Sequence, residues 1–350
     1  MARSKVPKYA MEKYLPTNVS VEVGGENILV FDYAEKKQVA VHVITAWNPP
    51  NSSRTQEEND GANELLRLEI ESLGLEAIKA RGSDPKANHF EDSWAVVGIA
   101  EEEAILLGHK FEQAAIFRIT RNRQTVLGCD EKRWIISRGS RRTLGVQGTV
   151  DFINDSRNTK YLKRHIDRYF GINDSNEIFQ GRNFEWFIKG KDQSMFLPTD
   201  FLAISALSVD VPAETQRKLL EDYDDKFTDL LLASIKQEAD HLGSVDFSWL
   251  WEKKSPIMKL HAEVEKLPGI GRVVCSKLLA TKFPNLIPIR DSKVEKLLGI
   301  KPTGVWWKPL HELHESVKPM LVNLKGVKSA ASTLRALDVL LWMEASDRGL

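Results

Sequence analysis

The chain has 350 residues, and its 49 Lys and Arg are balanced by 49 Asp and Glu, with a pI near 7.1. A content of 42% hydrophobic and 28% charged residues is ordinary for a globular protein, and the length predicts two domains. Two cysteines, Cys129 and Cys275, exclude a disulfide framework and a four-thiolate metal site, and no apolar run approaches a membrane span. The first residues lack a signal-peptide core, so a cytoplasmic location without a membrane partner is expected.

Gln38–Trp47 alternates as a strand does and stops at the turn Asn48-Pro49-Pro50. Gln56–Leu73 has helical spacing through Ala62, Leu65, Leu66, Leu68, Ile70 and Leu73. Leu75–Ala80 and Ser93–Ile99 read as strands, and Glu101–Phe111 as a helix opened by three glutamates. Ala114–Thr120 and Thr125–Cys129 form a predicted hairpin about Arg121-Asn122-Arg123. This order predicts a small α+β domain over 1–150, a mainly antiparallel sheet with two helices on one face.

Lys132–Asn158, rich in Arg, Gly and Ser, carries the predicted domain boundary. Helical periods follow at Lys160–Phe170, Pro198–Leu207, Ala213–Ile235, Trp249–Leu267, Arg272–Phe283, Ser292–Leu298 and Ser329–Met343. Strand signals nearly vanish, so 151–350 is predicted to be all-α.

The sharpest motif is Leu267-Pro268-Gly269-Ile270-Gly271, set between two helical stretches. Its glycines permit positive φ and close backbone approach, and the N–H groups of the helix it opens can hold a phosphate. The alternative is an ordinary corner between helices that needs Gly for its geometry. The motif resembles the helix-hairpin-helix element, which grips nucleic-acid backbone. Downstream, Pro284-Asn285-Leu286-Ile287-Pro288-Ile289-Arg290 leads into Asp291-Ser292-Lys293-Val294. Asp291 therefore stands where base-excision DNA glycosylases of the helix-hairpin-helix class place their catalytic Asp. Cleaving an N-glycosidic bond develops positive charge on the sugar, which a carboxylate stabilises, and the base must first be flipped into a pocket. Asp291 is equally a favoured N-cap, and Ser292 with Glu295 has the spacing of a capping box.

The resemblance implies DNA contacts from Gly269, Ile270, Gly271 and Arg272, with Lys277, Arg290 and Lys293 as neighbouring cations. Members that also cleave the strand carry a Lys just after the hairpin's Gly-Arg. Val273 occupies that position, and the cluster-binding cysteines of some members are missing. The implied activity is that of a monofunctional DNA glycosylase needing no metal or cofactor. The second reading is a non-catalytic nucleic-acid-binding module in repair or defence, and a third places a small-molecule site in the front domain.

Gln180–Phe187 gathers Arg182, Glu185 and three aromatics that include Trp186. It reads either as a base-stacking edge or as a helix start with a buried aromatic face and a surface Arg–Glu pair. Trp306 and Trp307 can wall a base pocket or pack a core. His311 and His314 have helical metal spacing without a supporting carboxylate and are expected at the surface. Asp222, Asp224, Asp225 and Asp229 lack calcium-loop spacing and read as a solvated face.

In the front domain, Asn48, Asn59, Asn63, Glu91 and Gln113 fall at element ends, where turns and caps are expected, and their clustering can also form a polar pocket. Thr45–Pro49, Glu58-Asn59, Glu91–Ser93 and Leu107–Ala114 resemble a family of small bacterial proteins of unknown function over about Val43–Cys129. The helical half likewise resembles a bacterial family without assigned activity, through Phe201–Ser205, Ser208–Pro212, the hairpin and Leu337–Met343.

A neutral chain argues against a nucleic-acid partner only where its charges are evenly mixed. Arg118–Arg168 holds 13 Lys and Arg against 5 Asp and Glu, and Glu252–Lys328 holds 15 against 7. Two basic segments are thus offset by an acidic remainder, and local field governs phosphate binding.

Overall fold

The computed structural model describes residues 6–50, 52–86, 88–130, 133–172, 178–221, 225–240, 248–252, 254–301, 306–325 and 331–350. It divides into two compact units, Met1–Arg142 with Asp347–Leu350, and Thr143–Ser346. The division at Arg142 lies inside the Arg/Gly/Ser-rich Lys132–Asn158.

The first unit is an eight-stranded sheet of antiparallel pairs: β1 (Asn18–Val23), β2 (Glu26–Leu29), β3 (Val41–Ile44), β4 (Ala77–Ser83), β5 (Phe90–Val97), β6 (Ala115–Ile119), β7 (Arg123–Gly128) and β8 (Ile135–Gly139). The spatial order is β2-β1-β4-β5-β3-β6-β7-β8. Gly24 and Gly25, with φ of +60° and +83°, make the two-residue turn of the β1–β2 hairpin.

Among the described residues four helices belong to this unit, not two, and they cover both faces. The helices α3 (Gln56–Ser72) and α4 (Glu101–Lys110) pack on Ile44, Val96, Ile116 and Leu127. On the opposite face, α1 (Lys8–Lys13) meets Ala115, Val126 and Trp134, and α2 (Val30–Lys37) meets Val41, Val43 and Ala95. The central strands are apolar at both parities, so each face requires a cover. The buried stripe of α3 runs through Asn59, Asn63, Leu66 and Ile70, whereas Leu65 and Leu68 are exposed.

The second unit contains only helices among its described regular elements, in chain order α5 (Gly145–Asn154), α6 (Thr159–Phe170), α7 (Phe184–Ile188), α8 (Pro198–Ser205), α9 (Ala213–Leu220), α10 (Asp225–Asp240), α11 (Pro256–Glu265), α12 (Arg272–Lys282), α13 (Ser292–Leu298), α14 (Trp307–Lys325) and α15 (Thr333–Asp347), with short 3-10 turns. The single period read over Ala213–Ile235 is two helices, α5 and α14 add to the helical periods expected, and α7 is the helix start read within Gln180–Phe187. Along α15, Leu334 to Leu341 are all buried, as in a helix at the centre of a bundle. That placement takes Arg335 and Asp338 inside. A buried ion pair, Lys282 Nζ to Asp200 Oδ2 at 2.6 Å, joins α12 to α8.

His311 and His314 are not at the surface. Both are buried on α14, where His311 Nε2 lies 2.6 Å from Leu286 O and His314 Nε2 lies 2.9 Å from Thr333 Oγ1. Their apolar surroundings lower both pKa values, that of His311 to about 4. Asp229 is exposed, and Asp222, Asp224 and the side chain of Asp225 lie outside what the structure describes. Among the described residues no helix is long and apolar enough to cross a membrane, and no group of three or more His, Cys, Asp or Glu is placed to hold a metal ion.

Candidate active site

The Leu267–Gly271 motif joins α11 to α12. Ser255 caps α11 by accepting from Met258 N at 3.3 Å, and Pro256 fills the first helical turn. Gly269 has φ +77° and lies flush against the ring of Pro212, so the turn accepts no side chain there. Ile270 is buried and anchors the turn from below. Gly271 is the N-cap of α12 and offers no capping side chain, which leaves the first-turn amides and the positive end of the helix dipole facing outward. Gly269, Gly271 and Arg272 are exposed, with Arg272 Nε 3.2 Å from Glu265 Oε1.

One turn and a half along α12, Lys277 enters a cavity of about 390 Å³. Asp291 lines the same cavity, as do Tyr169, Phe179, Trp342 and Asp338. Asp291 is held as the N-cap of α13, its Oδ1 accepting from Lys293 N at 2.9 Å. The aromatic wall is ordered: Tyr169 and Phe179 stack at 5.4 Å, and Trp342 meets both edge-on. Lys277 is 5% exposed and donates from Nζ to Leu207 O at 2.9 Å. Burial lowers its pKa, while the charge of Asp291 acts in the opposite direction. Leu207 and Ser208 form one edge of the cavity, and Pro212, close behind in sequence, covers Gly269. A single short segment therefore connects cavity and hairpin.

Behind the aromatic wall stands Arg335. Its Nε bonds Glu185 Oε1 at 2.9 Å, and its Nη2 bonds Tyr169 Oη at 2.9 Å and Gly181 O at 3.3 Å. A Cβ on Gly181 would collide with the Tyr169 hydroxyl, so this glycine keeps the wall closed. Asp338, one turn further along α15, accepts from Ile289 N at 3.1 Å through Oδ2. Its Oδ1 is buried with no hydrogen-bond partner, as is Glu185 Oε2. Burial pushes the Asp338 carboxyl up to about 7, against the opposing pull of Arg335 and the Ile289 N–H.

The remaining sequence-derived candidates fall elsewhere. Arg290 is 6% exposed, pairs with Glu295 at 2.6 Å and packs over Trp306, so like Lys277 it presents no cation at the surface. The reason is the apolar segment Leu286–Ile289, which draws Arg290 inward with it. Lys293 Nζ reaches Ser346 Oγ at 3.0 Å and lies 5.0 Å from the Trp342 ring, beside the cavity. None of the four residues expected to wall a base pocket lines the Asp291 cavity. Arg182 packs on Gly171, Trp186 is 74% exposed, and Trp306 is buried. Glu185 forms no surface pair with Arg182 but reaches the site through Arg335.

The amide side chains of the front domain bond its own backbone, and Asn48, Glu91 and Gln113 also line one cavity of about 150 Å³, as the pocket reading expects. Asn63 Oδ1 accepts from Ala46 N at 3.2 Å, and Asn59 Oδ1 from Asn48 N at 2.9 Å. Gln113 Nε2 donates to Trp47 O at 3.1 Å, and Glu91 lies 3.3 Å from His89. Asn48 itself is left-handed, with φ +39°.

Tyr169, Phe179, Arg335, Asp338 and Trp342 were not among the expected site residues. A signal for two of them exists in the sequence: Arg335 and Asp338 are charged residues one turn apart in the otherwise apolar run Leu334–Met343.

A protein family of unknown function, DUF3293, matches residues 44–116. No curated protein and no solved structure matches the chain. The second family match is to DUF6308, a family of unknown function, over residues 162–345, a span that holds both the hairpin and every residue of the cavity. With more than half of its length matched, the chain belongs to the DUF6308 family.

Proposed function

We propose that the helical unit is a DNA N-glycosylase that grips duplex backbone at the Gly269–Gly271 turn and hydrolyses the N-glycosidic bond of a flipped base with Asp291. The observation that carries this reading is the meeting of Asp291 with Tyr169, Phe179 and Trp342 around one cavity. Its volume falls within the roughly 300–1,000 Å³ of small-molecule sites. The aromatic faces suit a base taken out of its stack, and a capped carboxylate stands ready for the sugar.

In this mechanism the C1′–N bond breaks with its electron pair leaving on the base. Asp291 stabilises the positive charge that develops at C1′ and takes a proton from the incoming water. Lys277, which shares the cavity, holds the Leu207 carbonyl through its Nζ and adds positive charge near Asp291. The exposed first turn of α12 and Arg272 supply the backbone grip. Of the basic residues over Glu252–Lys328, Lys277, Lys282 and Arg290 are buried, so the local field at the turn rests on exposed cations such as Lys266 and Arg272.

Base release from a panel of duplexes carrying modified bases tests the reading. Asn caps a helix as well as Asp does, so Asp291→Asn keeps α13 intact and removes only the ionisable oxygen. Wild type is expected to release a base, and the variant to lose about 10³-fold or more of the rate. Duplex binding without release by either protein would reject the enzyme in favour of a binding module.

A further inference from the structure

Hydrolysis of this bond makes two demands, stabilisation of the sugar and a place for the electron pair on the departing base. A base that is cationic before cleavage leaves as a neutral molecule and needs no acid. A neutral base leaves as an anion unless something protonates it, and a positioned acid then accelerates departure.

The cavity holds a second carboxyl group besides Asp291. Asp338 is 4% exposed and lines the same cavity. Its Oδ2 is committed to Ile289 N, whereas its Oδ1 is buried without any partner. A buried acceptor left in this state is costly unless it carries a proton or meets a donor from a ligand. Asp291 sits in a different setting, half-buried at a helix N-terminus with a backbone N–H on its Oδ1. Two carboxyls in one cavity, one with an unpartnered buried oxygen and one held by a backbone N–H, offer positions for an acid and a base.

We propose, on the basis of the glycosylase reading, that Asp338 is the proton donor to the leaving base and that the substrates are accordingly bases that are neutral before cleavage. Asp338 Oδ1 gives its proton to a ring nitrogen or carbonyl oxygen of the base as the C1′–N bond breaks and its electron pair passes to the base. Water adds at C1′ and loses a proton to Asp291. Asp338 ends ionised and Asp291 protonated, and a single proton exchange with solvent restores both.

The groups facing Asp338 allow this. Arg335, on its own helix, favours the ionised form, and so does the Ile289 N–H. Glu185 on α7 and Asp291 oppose ionisation, and burial opposes it most. Tyr169 on α6 and Lys277 on α12 share the cavity. Asp338 also borders a second cavity of about 490 Å³, which carries Lys189 and Lys191. The net result is a carboxyl that titrates at about 7, so a large fraction is protonated at neutral pH.

The test compares wild type and Asp338→Asn on duplexes with neutral modified bases and on duplexes with N-alkylated, cationic bases. Wild type is expected to release neutral bases at a rate that falls as pH rises through about 7, where Asp338 loses its proton. Asp338→Asn is expected to lose roughly 10²-fold or more on neutral bases, with that pH limb gone, while its duplex affinity is unchanged. Equal rates for variant and wild type on neutral bases would overturn the proposal and leave the glycosylase standing. So would release by wild type of cationic bases alone. Absence of any release by wild type removes the glycosylase reading itself, and this proposal with it. If Asp338→Asn does not fold, the wild-type profile decides, because a rate on neutral bases that is flat between pH 5 and about 9 contradicts a donor with this titration.

Discussion

The two units bury polar side chains to different ends. In the sheet unit they are spent on backbone: Asn63 serves Ala46, Asn59 serves Asn48, and Gln113 serves Trp47, so the Thr45–Asn48 turn is fixed by three amide side chains from outside it. His42, buried in that unit, is held neutral by burial and by Arg118, with its pKa lowered to about 4. Both units leave some buried polar atoms without a partner, among them both ring nitrogens of His42 and Nε1 of Trp47 in the sheet unit, but in the helical unit such atoms include carboxylate oxygens beside a cavity. Arg335 is surrounded by Glu185, Tyr169 and Gly181, yet Glu185 Oε2 and Asp338 Oδ1 have no partner. Amide side chains bonded to backbone fix a loop, whereas a carboxylate oxygen without a partner beside aromatic walls leaves capacity for a ligand. This difference is one ground for proposing the chemistry in the DUF6308 portion of the chain, while the amide cluster in the DUF3293 portion holds the Thr45–Asn48 turn.

Several substitutions can break or sharpen that contrast. The largest effect on stability is expected at Arg335. Its replacement by Met strands Glu185 as an uncompensated buried charge and is expected to cost about 3–5 kcal/mol in denaturant unfolding. Joint replacement of Arg335 by Met and Glu185 by Leu is expected to recover much of that loss. Recovery would mark the pair as a feature kept for the site and not for stability.

Asn63→Ala leaves the Ala46 N–H without its acceptor and is expected to cost about 1–3 kcal/mol while base release stays at the wild-type rate. A loss of base release with the fold intact would instead place part of the chemistry in the sheet unit. The smallest effects distinguish the two hairpin glycines. Gly269→Ala meets both a left-handed backbone and the Pro212 ring, at a cost of about 1–2 kcal/mol or more, and is expected to weaken duplex binding. Gly271 has φ −86° and open space around its Cα, so Gly271→Ala is expected to cost under about 1 kcal/mol in thermal melting.

The elements most legible in the sequence are those whose period is sustained and whose ends are marked. Gln56–Leu73 is observed as α3 from Gln56 to Ser72, and Arg272–Phe283 as α12 from Arg272 to Lys282. The β1–β2 hairpin is not among the expected elements, although Asn18–Leu29 alternates about Gly24-Gly25, a turn pair that accepts positive φ. Helices on both faces of the sheet were less accessible, because Val41 and Ile44 in one strand look the same in sequence whichever face they serve. The N-cap Asp291 and the Leu267–Gly271 turn are legible because each is tied to a local geometry. Tyr169, Phe179 and Trp342 are not, since they come from distant points in the chain and only packing brings them together. Lys277 and Arg290 look like surface cations in a basic segment, but burial follows from tertiary contacts that composition does not encode.

The central claim is that Asp291 faces positive charge developing on a sugar in the aromatic cavity. The most direct measurement is the affinity of the full chain for two duplexes, one with a cationic pyrrolidine abasic-site analogue and one with its neutral tetrahydrofuran counterpart. A carboxylate placed for the transition state is expected to favour the pyrrolidine duplex by about 10²-fold or more, and Asp291→Asn is expected to abolish that preference while still binding both. Equal affinity of the wild type for the two duplexes would contradict the account.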